Sequence, residues 1–561
     1  MSKILRAVAA SFAVTALLAN SQPKSPAEAN LRVPLDIPLT LSGNFGELRT
    51  NHFHSGVDFK TQGRTGLPIY CAADGYVSRV VVSPWGFGRA IYVTHPDLGL
   101  VTVYGHLESF VKKIDTPVRD RQYAAESFRI DTEFAPGEIE VKRGELIAHS
   151  GNAGSSGGPH LHMDVRDAVT EYALDPMPYY RRHLKDDVAP EVRGIALYPH
   201  DGIVNGVAKP AFHVKPDLNK SFTAWGRVAP AIKAYDRMTG TTNIYGVKYL
   251  TLMCDGDTIY HRVVDHSDFD RTRAVNTLVE YGDVVDSNSW YMTTLVPESQ
   301  PLSDMVTARG DGTIDIDTER EYKLKFVLRD DHGNVTVVPF TIKGVRGDIP
   351  AAEGDGELVM WDREYTLIND AGASATLSPG TLYGDCVLSI TDLAPRQGDY
   401  SRRYIIGDKH VPVAKEFDIV IPLVTDDKVD KQKYTLVRID GKSPSAVAAD
   451  YNLGGYMTAR INRFGTYTVV ADTVAPVVTP LTPEKWRTSG KVTFKISDKL
   501  SGIETYRGEI DGHWVMFEFD GKIGTLSYRL DHTRLPKATR HKVTLSVTDA
   551  AGNSTTCDRS F

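Results

Sequence analysis

Helical periodicity is scarce in this chain beyond its first 30 residues, and that constrains the fold more than any other feature. Short runs rich in Val, Ile, Thr and Tyr alternate with Gly, Asp, Asn and Pro. Examples are Arg89-Ala90-Ile91-Tyr92-Val93-Thr94, Lys323-Leu324-Lys325-Phe326-Val327-Leu328 and Lys542-Val543-Thr544-Leu545-Ser546-Val547. β-Branched and aromatic side chains suit a pleated, half-buried surface, and the residues between the runs are turn formers. The expectation is a mainly β chain. Its 561 residues correspond to three or four domains at about 150 residues each.

The start of the chain has a different character. Lys3 and Arg6 precede an uncharged apolar run from Ala7 to Ala19, followed by small polar residues. The run has 13 residues, short of the ~20 that span a bilayer, so it reads as a secretory signal. Cleavage is expected after Ala19-Asn20-Ser21 or after Ala27-Glu28-Ala29. No later segment is long and apolar enough to cross a membrane. The expected location is therefore outside the cytoplasm, in the periplasm or cell envelope, or secreted. A formal charge of −7 gives no reason to expect a nucleic-acid partner. Cys71, Cys254, Cys386 and Cys557 are far apart and form no C-x-x-C pair, so they read as isolated thiols.

An internal repeat divides the rest. Asp186-Asp187-Val188-Ala189-Pro190 is echoed by Asp472-Thr473-Val474-Ala475-Pro476. Asp236 precedes Asp255-Gly256 as Asp498 precedes Asp511-Gly512. Asp331-His332-Gly333-Asn334 pairs with Asp549-Ala550-Ala551-Gly552-Asn553. These ends resemble bacterial immunoglobulin-like sandwiches. The expected division is a signal and short N-terminal segment (1–29), a compact head (30–186), an immunoglobulin-like β module (187–345), a strand-rich module (346–471) and a second immunoglobulin-like module (472–561).

The residues that carry chemistry fall between 44 and 166. His54-Ser55-Gly56-Val57-Asp58 places an imidazole and a carboxylate four apart, on the same side of an extended segment. Nitrogen and oxygen ligands at about 2.0–2.2 Å suit Zn²⁺. In His160-Leu161-His162-Met163-Asp164-Val165-Arg166, apolar and polar residues alternate. That is a strand with a core face and a polar face, and both histidines project from the polar one. His106, in Tyr104-Gly105-His106-Leu107, ends another strand and is a candidate acid/base or transition-state group.

Taken together, H-x-x-x-D, a later His-Leu and H-x-H resemble the lysostaphin/LytM-type zinc endopeptidases. Gly66-Leu67-Pro68-Ile69-Tyr70, Ala73-Asp74-Gly75-Tyr76-Val77, Val141-Lys142-Arg143-Gly144-Glu145-Leu146-Ile147-Ala148 and Ser150-Gly151-Asn152-Ala153-Gly154 extend the likeness. The resemblance implies a compact antiparallel-sheet metallopeptidase core, followed here by about three β-sandwich modules. It implies one zinc per chain held by His54, Asp58 and His162, with His106 and His160 as the catalytic, non-ligand histidines whose two roles it leaves unassigned. It further implies an endopeptidase acting on peptide stems or cross-links of peptidoglycan. The alternatives are an inactive regulator of cell-wall amidases, which in relatives has lost zinc ligands, and an envelope-binding protein.

Further expectations follow. The connection between His106 and Val141 exceeds the family's short one; its segment from Arg119 to Gly137 is read as a loop or short helix beside the cleft, or as a tolerated surface insertion. Asn44 is read as a turn residue or as a group that approaches the metal in a closed form. His52, His95 and His149 are left structural. Residues 187–561 are expected to position the enzyme, with the β modules as candidates for binding envelope components, and to do no chemistry.

Overall fold

The computed structural model describes residues 23–561 apart from 219, 352–353, 429, 442 and 536–538. The expected secretory run from Ala7 to Ala19, and the first cleavage candidate beside it, lie outside the described residues. Among those described, no helix is long and apolar enough to cross a membrane. The chain is mainly β, as its turn-punctuated sequence requires.

The head is built on one antiparallel sheet. Its strands are β1 (Leu41–Gly43), β2 (Val57–Lys60), β3 (Gly75–Val82), β4 (Arg89–His95), β5 (Leu100–Gly105), β6 (Ile130–Glu133) and β7 (His160–Asp167). They lie in the order β1-β2-β7-β5-β4-β3-β6. Strand β7 is interior, between β2 and β5, and its sequence alternation is realised. Leu161, Met163 and Val165 are fully buried in the head core, each contributing about 1.5–3 kcal/mol by burial. The opposite face carries His160, His162, Asp164 and Arg166. Register sets His162 directly across from Asp58 on β2 and from Gly105 on β5. Directly opposite residues share a face, so strand pairing alone brings imidazole and carboxylate together.

The long connection after His106 forms a 13-residue helix, α1 (Lys112–Ala124), and the edge strand β6. Ile114, Val118 and Gln122, spaced by four, are its buried stripe. Its outer side receives the last β module. Tyr123 meets Trp514 edge-on at 5.2 Å between ring centroids, and Arg534 lies 3.8 Å above the Tyr123 ring. Arg507 pairs with Glu126 at 2.6 Å. The segment read as a loop or short helix beside the cleft is thus a dock for the C-terminal module.

Residues 187–345 form a ten-stranded sheet around one core, led by two 14-residue strands, Glu191–Val204 and Phe222–Tyr235. Residues 346–471 form two five-stranded sheets and a two-stranded one, and 472–561 form two four-stranded sheets. Two sheets over a shared core are the expected way to bury one face of each. The cysteines are free thiols, with Cys71 and Cys254 buried.

The modules are packed against the head. Strand β8 (Ala173–Leu174) of the head pairs with β9 (His266–Ser267) of the next module. Buried Lys248 bridges Asp175 of the head and Asp331 of the module, the latter at 2.6 Å. Trp514, Met516 and Phe519 of the last module join the head's own hydrophobic core.

Candidate metal centre and active site

Three ligand atoms converge at the start of β2 and the start of β7. His54 Nε2 lies 3.0 Å from Asp58 Oδ1 and 3.1 Å from His162 Nδ1, and His162 Nδ1 lies 2.9 Å from Asp58 Oδ1. All three residues are buried. Among the described residues this is the one group of possible metal ligands that contains histidine.

The outer contacts decide which ring nitrogens face inward. His54 Nδ1 donates to the Asn44 carbonyl at 2.6 Å, because a carbonyl can only accept. His54 Nε2 is then a lone pair. His162 Nε2 donates to Asp164 Oδ1 at 2.6 Å. Burial opposes ionisation of Asp164, but the Arg166 charge and the hydrogen bonds from His162 and Arg166 outweigh it and hold the carboxyl at about 2. That leaves the lone pair of His162 at Nδ1. Asp58 is anchored from behind by Arg49 Nη2 on Oδ2 at 3.2 Å, which frees Oδ1. Two imidazole lone pairs and a carboxylate oxygen aimed at one point require a positive charge there, and the mixed nitrogen–oxygen set suits a borderline divalent metal. The fit is supported by the orienting bonds on both rings, the usual surroundings of metal-binding histidines.

His106 and His160 flank this point. Their ring centroids are 4.7 Å apart, and His106 lies 5.9 Å from His162. His106 Nδ1 donates to the Ala153 carbonyl at 2.8 Å. His160 Nδ1 donates to the Gly158 carbonyl at 2.8 Å, and its Nε2 sits 3.4 Å from Asp58 Oδ1. Each ring therefore turns Nε2 to the cleft. Burial first, then the neighbouring imidazoles, push His106 down to about 3, so it is neutral from mildly acidic pH upward. His106 also holds a left-handed backbone, φ +60°, which costs a non-glycine residue of order 1 kcal/mol. Its amide is bonded to the Phe87 carbonyl at 2.8 Å, and Phe87 in turn stacks on His162 at 4.6 Å. The strain at His106 is sustained by the loops around it. Gly151 passes so close that a Cβ there would lie 2.3 Å from the Glu108 amide and 2.7 Å from the His106 carbonyl.

Sequence reasoning did not assign several residues that shape this site. Asp164 was legible only as part of a polar face; its role in fixing the His162 tautomer needed the fold. Ser55 Oγ donates to Asp164 at 3.0 Å, and Arg166 binds its other oxygen at 2.6 and 3.0 Å. Arg166 is covered by Phe269 of the following module, 4.3 Å from ring centroid to guanidinium carbon. Asn44 does not turn its side chain toward the metal point: its amide is bonded both ways to Gly246 at 2.9 Å. His52, His95 and His149 bond elsewhere, to Thr50, to Asp74 and Thr102, and to Ser109.

One wall of the cleft is buttressed by the last module. Lys522 Nζ donates to the carbonyls of Asn152 and Ser156 on the loop that leads into His160. Trp85, on the loop before β4, meets Phe519 edge-on at 6.3 Å, and a Cβ at Gly521 would fall 2.3 Å from the Trp85 ring. Arg89 pairs with Glu518 at 2.7 Å.

This geometry can be set beside known proteins. Residues 52–137 match Peptidase family M23. The match includes His54, Asp58 and His106; it stops short of His160 and His162, which β7 brings to the same place. A separate stretch, 356–472, matches the Zu5-like domain. An uncharacterised metalloprotease of Haemophilus influenzae is 33% identical over 165 residues, covering 28% of this chain and 29% of that protein. A DD-carboxypeptidase/endopeptidase of Neisseria meningitidis is 29% identical over 119 residues, covering 21% of each. The cell division protein DipM of Caulobacter vibrioides is 29% identical over 127 residues, covering 23% of this chain and 17% of that protein. The chain thus spans less than a third of the length of each of these relatives.

Proposed function

We propose that the head is a zinc-dependent endopeptidase that hydrolyses peptide stems or cross-links of peptidoglycan outside the cytoplasm. The observation that carries the reading is the convergence of His54 Nε2, Asp58 Oδ1 and His162 Nδ1, with both imidazoles locked by outer hydrogen bonds. The M23 match supports a peptidase, and the relative named a DD-carboxypeptidase/endopeptidase supports the proposed substrate class.

His54, Asp58 and His162 would hold the ion. Zinc bound there supplies Lewis-acid polarisation of the scissile carbonyl and acidifies water. His106, neutral and with Nε2 turned inward, suits the acceptor of the attacking water's proton. His160 turns its Nε2 into the cleft, 3.4 Å from Asp58 Oδ1, and suits the donor that steadies the oxyanion or leaving amine. Burial of the ligand set excludes water from everything but the cleft side, which strengthens each of these charges.

The relative named as a cell division protein favours a second reading, a non-catalytic regulator of cell-wall amidases. The complete ligand set and both flanking histidines support the enzyme instead. The full chain loaded with one equivalent of zinc should cleave a soluble cross-linked muropeptide. Failure to do so with zinc bound and the fold intact would leave the regulator.

A further inference from the structure

The repeated aspartates have an outcome unrelated to the active site. In the first β module, Asp186, Asp236 and Asp330 each bring a carboxylate oxygen within 4.8 Å of the others. In the last module, Asp472, Asp498 and Asp549 do the same. The hairpin member of the first copy is Asp330, not the Asp331 that opens the repeated motif, because Asp331 turns away to Lys248. Each triad joins the linker that enters its module to two loops of that module.

The first triad is deeply buried: Asp186, Asp236 and Asp330 are 7%, 5% and 3% exposed. Part of its oxygen capacity is used by backbone amides. Asp186 Oδ1 accepts from Val188 and Thr239, and Asp330 Oδ1 accepts from His332 and Asn334. Asp330 Oδ2 accepts from the Asn334 side chain at 2.8 Å. Asp186 Oδ2 and Asp236 Oδ1, by contrast, are buried with no hydrogen-bond partner. Such atoms forfeit their hydration with nothing in return, and three carboxylates this close repel one another.

No lysine or arginine among the described residues pairs with the triad. Lys248 is taken by Asp175 and Asp331, and Arg237 by the Thr242 and Asn243 carbonyls and Glu191. His332 Nδ1 is 3.9 Å from Asp186 Oδ2. That is beyond hydrogen-bond reach, and its Nε2 donates to the Leu184 carbonyl at 3.1 Å. Burial, and then the Asp330 charge, push the Asp236 carboxyl up to about 8, which expresses the same missing positive charge.

We propose that Asp186, Asp236 and Asp330 form a structural binding site for a hard divalent cation, calcium by its ligand chemistry, at the junction of the head and the first β module. The set is anionic oxygen with no thiolate. Calcium accepts six to eight such ligands in irregular geometry, whereas magnesium demands near-ideal octahedra. A cation there ties residue 186 of the linker to the 236–239 loop and the 330–334 hairpin. The neighbouring Lys248 bridge clamps the same junction. The second triad is a weaker copy: Asp498 is only half-buried, and Asp472 Oδ2 is already bonded to the Ser501 amide at 3.0 Å.

The test uses the full chain, first saturated with zinc so that the histidine site is closed to calcium. Calcium is titrated by calorimetry, and thermal unfolding is followed with and without millimolar calcium. The wild type should bind calcium and melt at higher temperature with it. Asp236→Asn, an isosteric change, should weaken the tighter site at least tenfold and abolish most of the melting shift, while Asp549→Asn should leave the tighter site unchanged. Absence of calcium binding and of any melting shift in the wild type would overturn the proposal, and that measurement needs no variant. Equal calcium affinity in folded Asp236→Asn would overturn it too, by showing that the ion binds elsewhere.

Discussion

Replacing Asp164 by Asn tests how the proposed zinc site is held. Asp164 is fully buried and accepts the 2.6 Å bond that fixes the His162 tautomer. An asparagine can offer His162 only a neutral oxygen, and its amide then faces the Arg166 donors. Removing such a partner typically costs 10–100-fold in metal affinity, or about 1.4–2.7 kcal/mol. A second cost falls on the fold. Arg166, 6% exposed, loses its counter-ion, and breaking a buried pair costs about 3–5 kcal/mol. The two effects are separable. Asp164→Asn combined with Arg166→Met removes both charges, so it should recover most of the stability but none of the zinc affinity. Affinity is read by competition with a chromophoric chelator, and stability by urea unfolding of the zinc-free chain. Zinc affinity within twofold of wild type in folded Asp164→Asn would refute the argument that Asp164 sets the His162 donor atom.

Three further outcomes are expected. His106→Ala and His160→Ala should retain one zinc yet lose turnover by about 10²-fold or more; near-normal turnover in either would remove it from the chemistry. Burial pushes His95 down to about 4, so its neutral form stabilises the fold fully above pH 6.5, and this contribution is lost as pH falls from 6.5 toward 4. The loss at pH 5 should be about 2 kcal/mol, and the pH dependence of unfolding in His95→Gln should be shallower by that amount. Lys522→Ala should lower turnover of a small soluble muropeptide at unchanged zinc content, because the loop from Asn152 to Ser156 loses its anchor; unchanged kinetics would confine the last module to positioning.

What could be read in the sequence was local. The alternation through Leu161, Met163 and Val165 predicts a strand, and strand geometry alone puts His160 and His162 on one face. His54 and Asp58 are close along the chain, so their convergence needed little from the rest of the fold. Helix α1 was harder to see: Ile114 and Val118 show the right spacing, but Pro117 stands between them and polar residues surround both. The contacts that finish the site join distant parts of the sequence. Phe269 over Arg166, Gly246 on Asn44 and Lys522 on the His160 loop each link different domains, and no periodicity encodes such pairings. The repeat was legible as a repeat, but the meeting of its three aspartates was not, because it depends on how two loops and a linker close.

The account rests on the claim that His54, Asp58 and His162 form a zinc site that cleaves peptidoglycan peptides. Mass spectrometry of muropeptides, after digestion of purified cell wall by the zinc-loaded full chain and by His162→Ala, tests it most directly. The wild type should release products shortened by hydrolysis of a peptide bond, and His162→Ala, with two of three ligands left, should release none. Equal products from both proteins, or none from the zinc-loaded wild type, would contradict the claim.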